Sequence, residues 1–250
     1  MINFSAISKD SLIGKFLRGI LKLIPKNAVL PIFQGELKGK KWIIGSGSFG
    51  YWLGNYELEK QKIFQQIVKK GDIVYDIGAH VGFYTLLASE LVGKKGRVIA
   101  FEPLPENIFY LKKHLEINNC QNVEVLTIAV SEKSGCADFG TKADGFSAQF
   151  SKNGEFKVNT AALDDLIRDK KLLPPRILKI DVEGAELKVL KGAKFVLKKY
   201  KPTIFLAVHD RQLAEDCFNL LKEEFNYTLS PIISDDILKT SEIIAFSKKI

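Results

Sequence analysis

Residues 74–86 read VYDIGAHVGFYTL. An apolar, β-prone run ends in an acid at Asp76, glycines at 78 and 82 turn the chain, and a helical pattern of apolar residues follows. Strand, glycine bend and helix in that order open a βαβ unit, and such units bind ligands at the C-terminal tips of their strands. A carboxylate held at that tip is therefore a candidate ligand contact.

The unit repeats along the chain. Upstream, ELEKQKIFQQIVKKG (57–71) reads as a helix with Ile63, Phe64, Ile67 and Val68 on one face and Gly71 as its stop. DIVYDIG (72–78) is the first strand and VGFYTLLASELVG (81–93) the helix after it. RVIAFEP (97–103) is a strand, ENIFYLKKHLEINN (106–119) a helix and NVEVLTIAV (122–130) a third strand. Residues 132–160 are less regular, with glycines and short β-prone pieces, before the short helix ALDDLIRDKK (162–171). RILKIDVEG (176–184) is a fourth strand, followed by the helix GAELKVLKGAKFVLKK (184–199). PTIFLAVHD (202–210) is a fifth strand and RQLAEDCFNLLKEE (211–224) a helix, and NYTLSPII and SEIIAFSK close the chain as β pieces.

Apolar strands alternating with amphipathic helices imply an α/β fold, a mainly parallel sheet covered on both faces. Right-handed crossovers bring every strand's C-terminal end to one edge. Asp76, Glu102, Asp181 and His209 all fall at such ends. The first 56 residues lack the alternation; Trp42, Ile43 and Ile44 after the turn at 39–40 suggest a hairpin. The expected division is a helical and hairpin cap over 1–56 and the main domain over 57–250.

The chain has 250 residues with 46% hydrophobic and 26% charged, values of a soluble globular protein. Net charge is +8, but the lysines are spread rather than clustered, which favours a solvated surface over a nucleic-acid face. Cys120, Cys136 and Cys217 form neither a disulfide framework nor a metal-ligand pattern, and a reducing cytoplasm suits them. SLIGKFLRGILKLIP (11–25) is an amphipathic helix with Lys15, Arg18 and Lys22 off its apolar stripe. It is too charged and short to span a bilayer, and its stripe suits docking on the protein body or, as the second option, peripheral contact with a membrane surface.

The turn decides the cofactor. A dinucleotide fingerprint beginning at Gly78 needs glycines at 80 and 83, where this chain has His80 and Phe83, so a nicotinamide dehydrogenase is disfavoured. Asp76 would also repel a diphosphate. S-adenosylmethionine fits better: it carries a sulfonium, an ammonium and a carboxylate but no phosphate. Asp76 serves its cationic end, Gly78, Ala79, His80 and Gly82 let it approach the backbone, and helix N-terminal amides meet its carboxylate. Glu102, about 24 residues past Gly78, is placed to accept hydrogen bonds from both ribose hydroxyls. Asn107 supports the loop after Glu102, Ala129 and Val130 face the adenine edge, and Tyr84 and Thr85 cover the methionine part.

DIGAHVG (76–82), AFEPLPEN (100–107), ALDD (162–165) and LKIDVEGAELKVLKGA (178–193), in this order, resemble the FkbM family of S-adenosylmethionine-dependent methyltransferases, and YWLGNYE (51–57) is similar to a segment upstream in that family. The likeness covers about residues 42 to 210. It implies a class I methyltransferase fold, a Rossmann-like three-layer sandwich on a mostly parallel seven-stranded sheet, usually acting on a hydroxyl of a sugar, glycolipid, polyketide or related small molecule. The chain departs from the family pattern at His80, where Asn is commoner, and at Ala207, where an acid is common.

Methyl transfer to an alcohol needs alignment and a general base. His209 is the candidate base, since histidine titrates near neutral pH. Asp181 and Glu183, two apart at the end of a strand, are expected to face one space, where they orient acceptor hydroxyls or hold His209, with no third ligand for a metal. An N-cap role competes for Glu183. Trp52, Tyr56 and Glu57, with Tyr51, are the candidate acceptor wall, their aromatic planes suiting sugar rings. His114, mid-helix among lysines, reads as surface. The expected partner is a small-molecule or glycan acceptor. A nucleic-acid methyltransferase and a non-catalytic Rossmann-like binding domain are the competing readings.

Overall fold

The computed structural model describes residues 23–141, 148–150, 156–208, 210–232 and 242–247, together with Ser11, Gly19 and Leu21. Most of the expected helix over 11–25, and His209, lie outside the described residues. In chain order the elements are β1 (Val29–Pro31), β2 (Lys41–Ile43), α1 (Phe49–Leu53), α2 (Leu58–Ile67), β3 (Ile73–Ile77), α3 (Phe83–Val92), β4 (Arg97–Phe101) and α4 (Pro105–Ile117). They continue with β5 (Val123–Leu126), β6 (Ala129–Val130), β7 (Gly135–Thr141), β8 (Ala148–Phe150), β9 (Phe156–Ala161), α5 (Leu163–Arg168), β10 (Ile177–Ile180), α6 (Glu186–Lys191) and α7 (Lys194–Tyr200). β11 (Thr203–Ala207), α8 (Arg211–Asn219), a π-helical turn (Leu220–Glu224), β12 (Tyr227–Pro231) and β13 (Glu242–Ser247) complete them.

The main sheet has seven strands in the order β12-β13-β11-β10-β3-β4-β5, and β13 alone runs antiparallel to its neighbours. This is the class I methyltransferase sandwich. Its central strands are buried on both faces, as a helix-covered parallel sheet requires. Alternation splits their side chains between two cores: Tyr75, Ile77, Leu178, Ile180 and Leu206 on one face, Val74, Val98, Ile177 and Phe205 on the other. Ile32, Leu37 and Trp42 of the β1–β2 hairpin enter the second core, so the N-terminal segment shares the sheet's packing. Among the described residues no helix is long and apolar enough to cross a membrane.

Three expected elements break where partners end. The strand over 122–130 leaves the main sheet after Leu126, which pairs with Phe101, the last residue of β4; Ala129 and Val130 pair instead with β9. They join a four-stranded sheet, β6-β9-β7-β8, formed by the irregular segment. The helix over 184–199 splits at Gly192, where an added Cβ would lie 2.1 Å from the Ser131 carbonyl oxygen. Asp164 fixes the break, its amide donating to the Gly192 carbonyl and its carboxylate accepting from Phe195 and Val196 at the start of α7. The helix over 211–224 becomes π-helical from Leu220.

Candidate active site

Strand order reverses between β10 and β3, and outside their tips lies a cleft of about 540 Å³. The β3 turn forms its floor. Gly78 has φ +78, and an added Cβ would sit 1.9 Å from the Asp181 carbonyl oxygen. Gly82, the N-cap of α3, has φ +94 and its Cβ space is filled by Leu111. Both glycines are thus demanded by neighbouring protein, whereas the sequence suggested room for a ligand. His80, between them, adopts φ +53, a left-handed conformation in which Asn and His are enriched, which gives a physical reason for imidazole where Asn is common.

Glu102 ties this turn to the next strand. Its carboxylate accepts from the His80 amide at 2.8 Å, the Leu104 amide at 2.9 Å and Asn107 Nδ2 at 3.2 Å. It is 4% exposed and on the cleft wall. Burial pushes its carboxyl up, and the three donors and Lys179 offset only part of that shift.

Asp76 lies under the cleft rather than on its wall: it is buried, with Oδ2 accepting from Thr85 Oγ1 at 2.6 Å and Oδ1 3.1 Å from Lys179 Nζ. Thr85 is likewise fully buried. Lys179, which sequence reading passed over, does line the cleft; its ammonium donates to the Gly78 carbonyl at 2.8 Å and lies 3.8 Å from Asp181. Burial pulls that ammonium's pKa down, but Asp76 and Asp181 outweigh it and the net shift is up. Asp76 therefore acts on the cleft through Lys179. A lysine inside the apolar strand ILKI was the available signal.

Asp181 and Glu183 both reach the cleft wall. Strand alternation is not the reason, since β10 ends at Ile180 and Glu183 has φ +56. The turn is instead pinned by Glu186, whose carboxylate accepts from the amides of Val182 and Gly184, so Glu186 rather than Glu183 holds the start of α6. Among non-glycine residues with positive φ, Asn119, Lys170, Lys201 and Asn226 follow helix ends and Glu57 precedes α2, while His80 and Glu183 line the cleft, where strain is most often kept for function.

Gly78, Ala79, His80, Glu102, Asn107, Ala129 and Val130 all line the cleft, as do Tyr51, Tyr56, Tyr84 and Phe139. Trp52 and Glu57 do not; Trp52 donates its indole N–H to the Pro31 carbonyl, and Glu57 holds Lys60 at 3.0 Å. Lys60 also binds Glu242 at 2.8 Å, so a buried lysine joins α2 to the last strand. His114 is not at the surface: it is fully buried, stacked on Trp42 at 3.7 Å, with Nδ1 bonded to the Val81 carbonyl and Nε2 accepting from the Ile43 amide.

The chain matches the profile of the methyltransferase FkbM domain over residues 76–235. It is 26% identical over 164 residues to the hexuronic acid methyltransferase AglP of Haloferax volcanii, a match covering 65% of this chain and 66% of that protein. Its fold is similar to that of an FkbM methyltransferase from Methylobacillus flagellatus, with a TM-score of 0.52 and 20% identity over 70% of this chain and 43% of the other. It is also similar to the precorrin-6y C5,15-methyltransferase of Geobacter metallireducens, with a TM-score of 0.51 and 15% identity over 76% and 89% of the two chains. The chain thus spans just under two thirds of AglP and less than half of the Methylobacillus chain.

Proposed function

The chain belongs to the FkbM methyltransferase family, whose cofactor is S-adenosylmethionine, and on that premise we propose that it methylates a hydroxyl oxygen of a sugar, glycolipid or related small molecule. The lining residues suit that cofactor. Glu102 stands at the tip of β4 to take the ribose hydroxyls, while Ile128, Ala129 and Val130 offer an apolar wall to the adenine. Asp181 and Glu183 put negative charge beside the space for the methionine end. When bound, the cofactor supplies a methyl group on a cationic sulfur, which needs an oxygen nucleophile in line.

One observation carries the choice of a hydroxyl. Among the described residues of the cleft wall the acidic side chains are Glu102, Asp181 and Glu183 and the basic ones Lys179 and His80, and the lysine is already engaged by Asp76 and Asp181. Acids therefore outnumber bases, which repels a carboxylate acceptor and suits a neutral hydroxyl that can donate to them. AglP, by its name, acts on a hexuronic acid, a sugar that offers both groups, and it favours a sugar here. The aromatic rings of Tyr51, Tyr56 and Phe139 on the same wall suit the apolar faces of a sugar.

The test is transfer of labelled methyl from S-adenosylmethionine to a panel of glycosides and uronides, lipids and RNA. A base-stable methyl ether on a sugar is the expected product. A base-labile ester, or label in RNA alone, overturns the hydroxyl reading.

A further inference from the structure

Two ring side chains from separate segments meet in the cleft. Tyr51 comes from α1 and His80 from the β3 turn; both line the cleft, and the Tyr51 hydroxyl oxygen lies 3.5 Å from His80 Nδ1. Tyr51 is 8% exposed, stacked on Phe83 at 5.4 Å and tilted against Trp42 at 5.5 Å and Tyr56 at 4.5 Å. His80 is held through its backbone, whose amide donates to Glu102. Gly47 leaves room for the meeting: an added Cβ would lie 3.1 Å from the Tyr51 ring and 3.8 Å from His80 Cε1. The left-handed turn at φ +53 asks for no imidazole, since glycine or asparagine would hold it with less bulk. What histidine adds there is a ring on the cleft wall that exchanges protons near neutral pH.

We propose that His80 takes the proton of the acceptor hydroxyl, with Tyr51 as the positioning residue that holds its imidazole. The step rests on the hydroxyl reading above. The acceptor O–H bond breaks with its electron pair kept for the new O–CH₃ bond, and the C–S pair stays on the departing thioether. The proton joins Nε2, while Nδ1 keeps its own hydrogen directed at the Tyr51 oxygen, and the imidazolium later returns the proton to water. The 3.5 Å contact is long for a hydrogen bond, as catalytic contacts often are before substrate binds. Burial drives the Tyr51 phenol above its ordinary pKa, so it stays a neutral partner. The other titratable groups on this wall are Tyr56, Tyr84, Glu102 at the tip of β4, Lys179 on β10, and Asp181 and Glu183 just beyond it. Ionised, the three acids favour the imidazolium as it forms, and Lys179 opposes it in part. His209 is the competing base.

The experiment is steady-state kinetics of His80→Asn, His80→Gly, Tyr51→Phe, the double variant Tyr51→Phe/His80→Asn and His209→Ala. The probe is whichever sugar of the panel takes label as an ether, with calorimetry of S-adenosylhomocysteine binding alongside. Asparagine and glycine both accept φ +53, and phenylalanine keeps the Tyr51 ring in its packing, so the fold is retained. The proposal predicts a fall in kcat of about 100-fold or more for His80→Asn, with the KM for the sugar and the thioether affinity unchanged. The loss of rate that the parent shows on acidification through neutral pH disappears in that variant. Free imidazole restores turnover to His80→Gly. Tyr51→Phe lowers kcat by a smaller factor, and the double variant falls no further than His80→Asn. Undiminished kcat in His80→Asn, whether with a raised KM, a weakened thioether or a collapse confined to His209→Ala, overturns the assignment but leaves the hydroxyl reading standing. A slow His80→Asn that keeps the acid limb, with no rescue of His80→Gly by imidazole, marks a structural role and overturns it too. No ether from any sugar overturns the hydroxyl reading itself, and the assignment with it.

Discussion

Lys179 and Asp76 are register partners on β10 and β3, with Nζ and Oδ1 3.1 Å apart and both side chains at most 5% exposed. The same ammonium donates to the Gly78 carbonyl, so one buried ion pair fixes the sheet and the turn beneath the cleft. Removing one partner leaves a buried charge uncompensated. Lys179→Met is expected to lose about 3–5 kcal/mol of stability in urea unfolding, and Lys179→Met/Asp76→Asn to regain a large part of it. A loss below about 1 kcal/mol for the single variant would mean that the pair holds nothing.

Glu102 makes a different prediction because its two oxygens do separate work. The His80 amide donates to one and the Leu104 amide to the other, so Glu102→Gln keeps an acceptor for only one of them and also loses an acceptor for the ribose hydroxyls. Calorimetry is expected to give about 10- to 100-fold weaker S-adenosylhomocysteine binding, the range of a hydrogen bond to a charged group, with a loss of about 1–3 kcal/mol of stability for the amide left unpaired. Unchanged affinity would remove Glu102 from the ribose site.

Gly78 tests the turn. Alanine there would place its Cβ 1.9 Å from the Asp181 carbonyl oxygen, and φ +78 is unfavourable for any L side chain. Backbone cannot yield as a flexible side chain would. Gly78→Ala is expected to cost at least about 2 kcal/mol and to abolish cofactor binding, because Asp181 and the β3 tip must separate. Unfolding curves and titration of the same sample read both effects.

His114 predicts a pH dependence. Burial pushes its imidazole down to about 4, with the Val81 carbonyl offsetting part of the shift. The unfolded chain binds the proton more tightly than the folded one, so this contribution is complete above the unfolded value near 6.5 and shrinks as pH falls toward about 4. The full span is about 3 kcal/mol. Glu102, Glu186 and Glu242, whose carboxyls are raised chiefly by burial, act with the opposite sign, so the comparison is between variants. His114→Gln is expected to be less stable at about pH 7 yet to lose about 2 kcal/mol less than the parent between pH 7 and pH 4.5. Parallel curves would contradict the assignment.

The sheet edge was legible because strand tips are marked locally: an apolar run, an acid, then a glycine or proline turn. That placed Glu102, Asp181 and Glu183 on one cleft from sequence alone. The role of Lys179 was not legible. A lysine inside ILKI marks the position as unusual, but Leu178 and Ile180 give no sign of what lies across the sheet, and its burial depends on Asp76 in another strand. His114 failed for the same reason in reverse, since flanking lysines suggested solvent while the β1–β2 hairpin folds over the imidazole and Trp42 stacks on it. The reason for Gly78 and Gly82 was also non-local, as Asp181 and Leu111 occupy the space that their missing side chains leave. Tyr56 and Tyr51 were found by composition, but the acid network behind them joins α2 to β13 from opposite ends of the chain.

A crystal structure with S-adenosylhomocysteine decides where the cofactor sits. The adenosine is expected in the cleft beside Ala129 and Val130, with both ribose hydroxyls on the Glu102 carboxylate and the thioether sulfur facing the space between Asp181 and Tyr56. A ligand seated outside that cleft, or a ribose held without Glu102, would contradict that placement.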